Sequence, residues 1–483
     1  MQPLKPELPD DHLETVTAWG GASDSAAYVY RPSTLADLKS IFDLARNTGR
    51  TIGLKGGGNS YGDAFSNREQ IVLDCSRLNR IIDWNPETGV IKVEAGVTID
   101  QLWRYVLADG WWPPIVTGTA KTTVGGCAAM NTHGKNGWNM GTFGDHVLEV
   151  EMLMANGRKK VCSREKNGEL FHAAIGGFGM FGCFTVITLQ LKKIYSGLLE
   201  VEACTRPNLT SCLSWFDENR DNSDYLVGWL DSTAKGSRFG RGELHRGRYL
   251  QPGEDSAPAK TLSLETQAIA DSILGIIPKS SMWFYMGFFF NNPGMTAINT
   301  AKYLVSRATS GQKGKTYQQP HAAYHFLLDY VPGWKWGYGK GGLIQYQTFF
   351  PKETAEDAFA ALLKLNQERK MPNYLTVIKR HKPSDFLIAY SPDGYSMAMD
   401  FRITERNRQQ VVRMARAMDE IVVKHEGQFY FAKDSTMRPE IAEQTMGKEK
   451  VEEVIRLKKK YDPKGFFQTD LWNRIFAPLL LSR

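Results

Sequence analysis

Apolar positions recur along this chain with two different periods. From Leu35 to Arg46, apolar Leu35, Leu38, Ile41, Phe42 and Ala45 keep helical spacing behind Ser33-Thr34, and Gly49 ends the run. Thr51 to Lys55 then predicts a short strand, as do Gln70 to Asp74 and Val90 to Ala95. A second helix opens in Val97-Thr98-Ile99-Asp100-Gln101-Leu102-Trp103, and Asn156-Gly157 marks a hairpin turn between Val147 to Met154 and Lys159 to Cys162. Beyond Tyr195 to Glu202 the character changes to aromatic-rich segments that read as strands: Tyr225 to Asp231, Met282 to Phe290 (a buried strand by its composition) and Leu343 to Phe349. Gln251 to Ala259 is a loop, Ala355 to Arg369 and Arg406 to His425 are amphipathic helices, and Lys458 to Pro463 ends a charged one. This mixture predicts an α+β fold.

Loops of small residues interrupt the first part of the pattern. Lys55-Gly56-Gly57-Gly58-Asn59-Ser60-Tyr61-Gly62-Asp63 comes first, and three adjacent glycines let backbone approach a ligand closely. A second loop runs from Thr117-Gly118-Thr119 through Thr123-Val124-Gly125-Gly126 into Asn131-Thr132-His133-Gly134-Lys135-Asn136, and a third is Gly141-Thr142-Phe143-Gly144-Asp145. Successive loops with free N–H groups suit a long anionic ligand such as a dinucleotide. Gly177-Phe178-Gly179-Met180-Phe181-Gly182 spells the GxGxxG fingerprint, with Glu202 downstream. That fingerprint needs a strand before it and a helix after it. Here Glu169 to Ile175 looks helical and Cys183 to Leu191 alternates like a strand, so a Rossmann site is disfavoured and a turn is expected.

The runs GGGNSYGD, VTGTAKTTVGG, HGKN, GTFGDHV, FAKDS and KKKYDPKGFF together resemble the FAD-linked oxidases of the vanillyl-alcohol oxidase type. Within that family the likeness is greatest to the branch that oxidises polyprenylphosphoryl-β-D-ribose for cell-wall arabinan. It spans about Trp19 to Trp472 and is dense only at these motifs. The resemblance implies a two-domain enzyme, with a PCMH-type FAD-binding domain over 1–197, a substrate domain on an antiparallel sheet over 198–427, and a return of 428–483 to the first domain. It implies FAD held by the first glycine loop (Gly56 to Asp63), by Gly118, Thr123 to Gly126, Asn131, Thr132 and His133, and by Met130, Gly144, Phe184 and Tyr430. The reaction it implies is oxidation of a furanose 2-hydroxyl to a 2-keto sugar, the first half of a 2-epimerisation completed by a separate reductase. A sugar-lactone or polyol oxidase of the same superfamily is the alternative, and a flavin-binding protein without turnover is a reading of another class.

Individual residues carry two readings each. Sugar-lactone oxidases of the superfamily usually present a histidine at the place of Asn59 and bond it to the flavin. Asparagine cannot form that bond, so dissociable FAD is expected unless His133 serves instead. Tyr61 either packs on the flavin or acts in the site. His133 and Lys135 occupy a glycine-rich turn, where polar contact with cofactor or substrate is expected. Gln345 and Gln347 share one face of a strand, holding sugar hydroxyls if it faces inward and ordinary surface if it does not. Lys433 matches the family's active-site lysine, and a desolvated lysine accepts a proton near neutrality; the plain alternative is a surface pair with Asp434. Lys379 matches a substrate-pocket lysine, with phosphate contact as a further role. At Ala398 the mycobacterial members have cysteine, so the thiol that traps nitroaromatic compounds there is missing. The catalytic set is therefore Lys433, Tyr61 and His133, and the substrate set Lys135, Gln345, Gln347, Lys379 and Ala398.

Composition narrows the class. With 483 residues, 42% of them hydrophobic, two or three cores are expected. A net charge of +7 suits an anionic cofactor or a phospholipid-like substrate, and equally a plain solvated surface. No basic block is interleaved with aromatics, which argues against nucleic acid. The six cysteines form no CxxC pair and read as reduced thiols. Gly311-Gln312-Lys313-Gly314-Lys315-Thr316 ends like a P-loop, but its first glycine is replaced by Thr309, leaving a surface turn. His321 and His325 have metal-ligand spacing, yet Ala322 stands where a zinc protease needs glutamate, and no metal is expected. Acids and prolines from Met1 to Asp11 speak against an export signal, and no apolar stretch reaches the roughly 18 residues of a membrane span. A cytoplasmic protein, with peripheral membrane contact as an option, is the expectation.

Overall fold

The computed structural model describes residues 8–269, 271–273 and 277–481, so Met1 to Glu7, weighed above for an export signal, lie outside it. The first sheet holds β1 (Leu13–Thr17), β2 (Asp24–Tyr30), β3 (Ile52–Lys55) and β4 (Ile71–Asp74) in the order β1-β2-β4-β3. Both β2 and β3 run parallel to β4, which requires a crossover, and helix Leu35–Asn47 supplies it. Thr34 starts that helix because its hydroxyl accepts the Asp37 amide at 3.1 Å while the Asp37 carboxylate accepts the Thr34 amide at 3.0 Å. Strand β3 ends directly in the triple glycine.

The second sheet comprises β5 (Ile81–Asn85), β6 (Val90–Glu94), β7 (Val147–Leu153), β8 (Lys159–Cys162) and β9 (Cys183–Gln190), antiparallel throughout in the order β5-β6-β9-β7-β8. The β7–β8 hairpin turns at Gly157, whose φ of 77° is the left-handed value that favours glycine there. The GxGxxG run sits between helix Gly168–Ala174 and β9, with Phe178 at φ 38° and Gly179 at φ 83°, a tight turn in place of a Rossmann loop.

The third sheet has eight strands, every neighbouring pair antiparallel. In chain order they are β10 (Leu198–Arg206), β11 (Tyr225–Leu230), β12 (Gly242–Tyr249), β13 (Lys315–Pro320), β14 (Leu343–Pro351), β15 (Thr376–His381), β16 (Gly394–Arg402) and β17 (Gln428–Phe429). Across the sheet they lie as β13-β10-β12-β11-β15-β16-β14-β17. The fold is thus α+β, with antiparallel sheets dominating.

One expected strand is absent. Met282 to Phe290 is largely a helix, Met282–Phe289, and none of its eight residues is buried. A run that is apolar at every position has no period by which strand and helix can be told apart. The helix lies against the 3₁₀ segment Trp334–Tyr338, where a side chain added to Gly287 would come within 3.5 Å of the Gly337 carbonyl.

The C-terminal helices return to the first sheet. Ile52 N donates to Phe466 O at 2.8 Å, Leu471 N to Asp63 O at 3.2 Å, and Tyr61 N to Ala432 O at 2.8 Å. Gly62 sits so close to this returning segment that a Cβ on it would penetrate the Asp434 carbonyl and come 3.1 Å from Ser435 Cβ. Gly62→Ala is therefore expected to destabilise the protein by about 1–3 kcal/mol, the usual cost of overpacking. Thermal or denaturant unfolding checks this, and an unchanged midpoint would show that the segment yields freely.

Candidate functional site

A cavity of ≈ 580 Å³ opens between the glycine loops and the third sheet. Its volume lies within the range of small-molecule and cofactor sites. One wall is backbone: Gly56 to Ser60, Gly118, Thr123, Gly125 and Gly126 line it, and the Gly177–Gly182 turn adds Phe178, Gly179 and Gly182. The glycines serve loop packing as much as ligand approach. A Cβ on Gly57 would lie 2.5 Å from Lys121 O, and one on Gly125 would lie 2.8 Å from Ala95 O. Asn59 ties the first two loops together, its Nδ2 donating to Gly57 O at 2.9 Å and Lys121 O at 3.1 Å. Buried Asn131 Nδ2 and Thr132 Oγ1 have no hydrogen-bond partner among the described residues. Of these two only Thr132 lines the cavity, and a deep cradle of backbone with that unpaired hydroxyl fits the phosphates and ribityl hydroxyls of a dinucleotide such as FAD.

The opposite wall is one face of the third sheet. Gln347 on β14 pairs with Ala398 on β16, Ala398 with Val377 on β15, and Val377 with Trp229 on β11. Directly paired residues point to the same side of a sheet, so the four form a row along the cavity wall. Ser396 and Lys379 pair one step along, as do Gln345 and Asp400 one step the other way.

Three lysines reach into this space. Lys433 follows Phe431-Ala432 at the end of the returning segment, and its Nζ lies 3.6 Å from the centre of the Tyr61 ring. Burial lowers it to about 7, Lys379 pushes the same way and Asp400 opposes. Lys135 is lowered to about 7 by burial and by Lys379; its Nζ donates to Tyr324 O and sits 4.2 Å from the centre of that ring. Lys379 is lowered to about 8 by burial alone. None of the three forms an ion pair among the described residues. The Tyr61 hydroxyl is pushed well above its ordinary value by burial and then by the Asp400 charge.

His133 has both ring nitrogens engaged. Its Nε2 is 3.0 Å from Gln347 Nε2, and its Nδ1 is 3.4 Å from Gly134 O. A neutral ring protonated on Nδ1 satisfies both contacts, and burial together with Lys379 favours that neutral form. His381 stands edge-on to it at 5.0 Å between ring centres and meets Ser396 Oγ at 2.8 Å.

Most of the residues named from the sequence meet on this cavity: the lysines, Tyr61, His133, Gln345, Gln347, Ala398, Met130, Thr132, Phe184 and Tyr430 all line it. Five expected cofactor residues do not. Gly62 is taken up by the returning segment, Asp63 pairs with Arg474 at 2.8 Å, and Val124 is in the core. Asn131 Oδ1 accepts the Gly144 amide at 2.8 Å, so both residues brace the loops from behind. His321 and His325 lie in an aromatic cluster with Trp112, and burial drives His321 down to about 3.

Sequence reasoning missed Asp400. It is fully buried on the same sheet face beside Gln345, with Oδ1 accepting Gln345 Nε2 at 2.5 Å, and burial raises it to about 6 against that bond and Lys433. The signal was a lone acid two residues after Ala398, between Met399 and Phe401 of a mostly apolar strand. Trp229 and Val377 were missed as well, since only strand register brings them to the site.

Residues 26–163 match the family model of an FAD binding domain. The chain is 27% identical to decaprenylphosphoryl-beta-D-ribose oxidase of Mycolicibacterium smegmatis over 95% of this chain and 96% of that one. It is 27% identical to a putative D-arabinono-1,4-lactone oxidase of Neurospora crassa over 37% of this chain and 32% of the relative. To L-gulonolactone oxidase of Mus musculus it is 26% identical over 41% and 44%. The likeness to the lactone oxidases thus covers less than half of either chain, whereas that to the mycobacterial enzyme is nearly end to end. A matched FAD binding domain, a cradle that fits the cofactor and this full-length likeness lead to one conclusion: the chain is an FAD-dependent oxidoreductase, similar over nearly its whole length to an oxidase of a sugar CH–OH group.

Proposed function

We propose that this enzyme oxidises a secondary alcohol on a phosphate-bearing furanose, in its sharpest form the 2-hydroxyl of polyprenylphosphoryl-β-D-ribose, to the 2-keto sugar. A separate keto-sugar reductase would complete the 2-epimerisation. The observation that carries the reading is Lys433 beside Tyr61 in a cavity that also holds Lys379 and Lys135 without carboxylate partners. One lysine near neutrality is a base for a hydroxyl, and two further ammonium groups suit a substrate anion. We assign the PCMH-type cofactor domain to residues 1–197 with 428–483, and the substrate domain to 198–427.

Bound FAD supplies the two-electron acceptor that alcohol oxidation needs. Gly56 to Ser60, Gly118, Thr123, Gly125, Gly126 and Thr132 hold it, and Phe184 and Tyr430 add apolar wall. Lys433 Nζ takes the hydroxyl proton, with the Tyr61 ring over it and Asp400 behind. His133 holds the Gln347 amide in place, and Gln345 is held by Asp400, so both amides meet sugar hydroxyls in fixed orientation. Lys379 and Lys135 bind the phosphate.

A screen of phosphoryl-ribose compounds and aldonolactones, read as loss of the flavin's visible absorbance without oxygen, tests the substrate class. Bleaching by lactones alone would favour the lactone-oxidase reading, and bleaching by nothing would favour a flavin protein without turnover. Lys433→Ala should leave the flavin spectrum intact and slow reduction by roughly 10²-fold or more, the scale of a lost general base. The base works as the free amine, so the wild-type rate should fall as pH drops through about 7, and that limb should vanish in the variant. An unchanged rate and limb would assign Lys433 to structure.

Asn59 is engaged with two carbonyls, and His133 is held by Gln347 and Gly134. Neither is arranged for attachment to flavin. Acid precipitation should release intact FAD into the supernatant, and yellow precipitate would refute dissociable binding.

Ala398 lines the cavity opposite Gln347 and Val377. Nitroaromatic compounds that capture a cysteine at this place should bind only reversibly here, while Ala398→Cys should create a covalent adduct and keep turnover. Intact mass after incubation with substrate is the readout. An adduct on the unsubstituted chain would point to Cys75 or Cys183, which touch the cavity, rather than to Cys127, which does not line it.

A further inference from the structure

Two thiols of the cavity wall touch each other. Cys75 leaves β4 of the first sheet in the turn Cys75–Arg77, Cys183 opens β9 of the second, and their Sγ atoms are 3.9 Å apart. Both line the cavity, as none of the other four cysteines does among the described residues. Their remaining contacts are weak, Cys75 Sγ with Leu73 O and Cys183 Sγ with Phe184 O, at 3.7 Å each. The alcohol oxidation set out above uses neither thiol.

A buried free cysteine is ordinarily a small inert hydrophobe. Here position and access differ from that. The backbone on both sides is pinned: Cys75 O accepts the Leu78 amide at 3.1 Å, Asp74 accepts the Ser76 amide at 3.1 Å and the Lys55 ammonium at 2.5 Å, and Cys183 pairs with Leu153 of β7. The two sulfurs are therefore held face to face between sheets. A disulfide needs them at about 2.05 Å, so the bridge asks for an approach of about 1.9 Å, the size of movement that rotation about the two Cα–Cβ bonds provides. The cavity gives a small oxidant its way in.

We propose that Cys75 and Cys183 are a redox-active dithiol, which hydrogen peroxide entering the cavity converts to a disulfide that staples the first sheet to the second. One sulfur loses its proton and attacks a peroxide oxygen; the O–O bond breaks, one water leaves and a sulfenic acid forms. The other sulfur, losing its own proton, attacks the sulfenic sulfur; the S–O bond breaks and a second water leaves. Two thiols thus give up two electrons and two protons, and one peroxide becomes two waters. The Cys183 contact and then burial hold the Cys75 thiol well above its ordinary value, so thiolate is scarce and the pair stays reduced until peroxide is in excess. Once formed, the bridge ties residues 108 apart in sequence and restricts the unfolded chain.

Peroxide treatment of the holoenzyme, followed by unfolding, alkylation of the remaining thiols and peptide mapping, tests this. Of the six thiols, four should be alkylated, with the peptides of Cys75 and Cys183 joined, and dithiothreitol should restore all six. The bridged protein should unfold about 2 °C or more above the reduced one, and the reductant should remove that shift. Cys75→Ser and Cys183→Ser should each abolish bridge and shift, whereas Cys127→Ser should keep both. A wild type that retains six thiols in excess peroxide, that gains oxygen on single cysteines without a bridge, or that joins a different pair would overturn the proposal. So would a Cys75→Ser protein with the same loss of thiols as the wild type. The wild-type map decides the matter even where a serine variant fails to fold, and the substrate screen above has no bearing on this pair.

Discussion

The Arg474 guanidinium holds together the two segments on which the site depends. It donates to both Asp63 oxygens at 2.8 Å, to Asp434 Oδ2 at 2.8 Å and to Met437 O at 2.6 Å. Asp63 lies two residues after Tyr61, and Asp434 follows Lys433. One half-buried fork of donors thus fixes the glycine loop against the returning C-terminal segment, and the Tyr61 N to Ala432 O bond at 2.8 Å completes the clamp. A lysine brought to the cavity by a segment so remote in sequence needs such a clamp to hold it beside Tyr61.

Charge is the second constraint. Burying three lysines within one cavity costs free energy by desolvation and, where they are charged, by mutual repulsion, and the fold offsets this only in part. The Tyr61 ring lies under Lys433 and the Tyr324 ring under Lys135, while Asp400 supplies a single carboxylate at the end of the row beside Gln345. The remaining imbalance favours an anion in the cavity. Lys433 itself is lowered to about 7 chiefly by burial, with Asp400 opposing and Lys379 adding to the effect.

The helices and strands of the first half were legible because their caps, turns and periods are local: Thr34, Gly49 and Asn156-Gly157 each carry their own signal. The glycine loops marked the cavity for the same reason. What stayed hidden depends on register or on distance. Trp229 and Val377 become neighbours of Ala398 only through pairing between strands far apart in sequence. Gly62 and Asp63 stand within the cofactor motif but are drawn away by the C-terminal return, which no local pattern reports. Met282 to Phe290 failed as a strand because hydrophobicity at every position removes the period on which the distinction rests, and its exposure contradicts the usual inference that apolar runs are buried.

The sheet face carries the cavity wall across four strands. After Ala398, Val377 and Trp229, the row continues to Glu243 on β12, which also lines the cavity and is ion-paired with Lys302. Neighbouring strands lie about 4.8 Å apart, so Ala398 to Glu243 spans roughly 14 Å across the sheet. Along that line the wall passes from amide and methyl to valine, then to an indole under the Lys302 ammonium at 4.6 Å, and ends at an ion pair. Small side chains at 398 and 377 keep the passage wide near the reacting end, while Trp229 offers a flat apolar surface farther out. The groove is therefore longer than the row's first pair, apolar along its middle and bounded by charge at its far end.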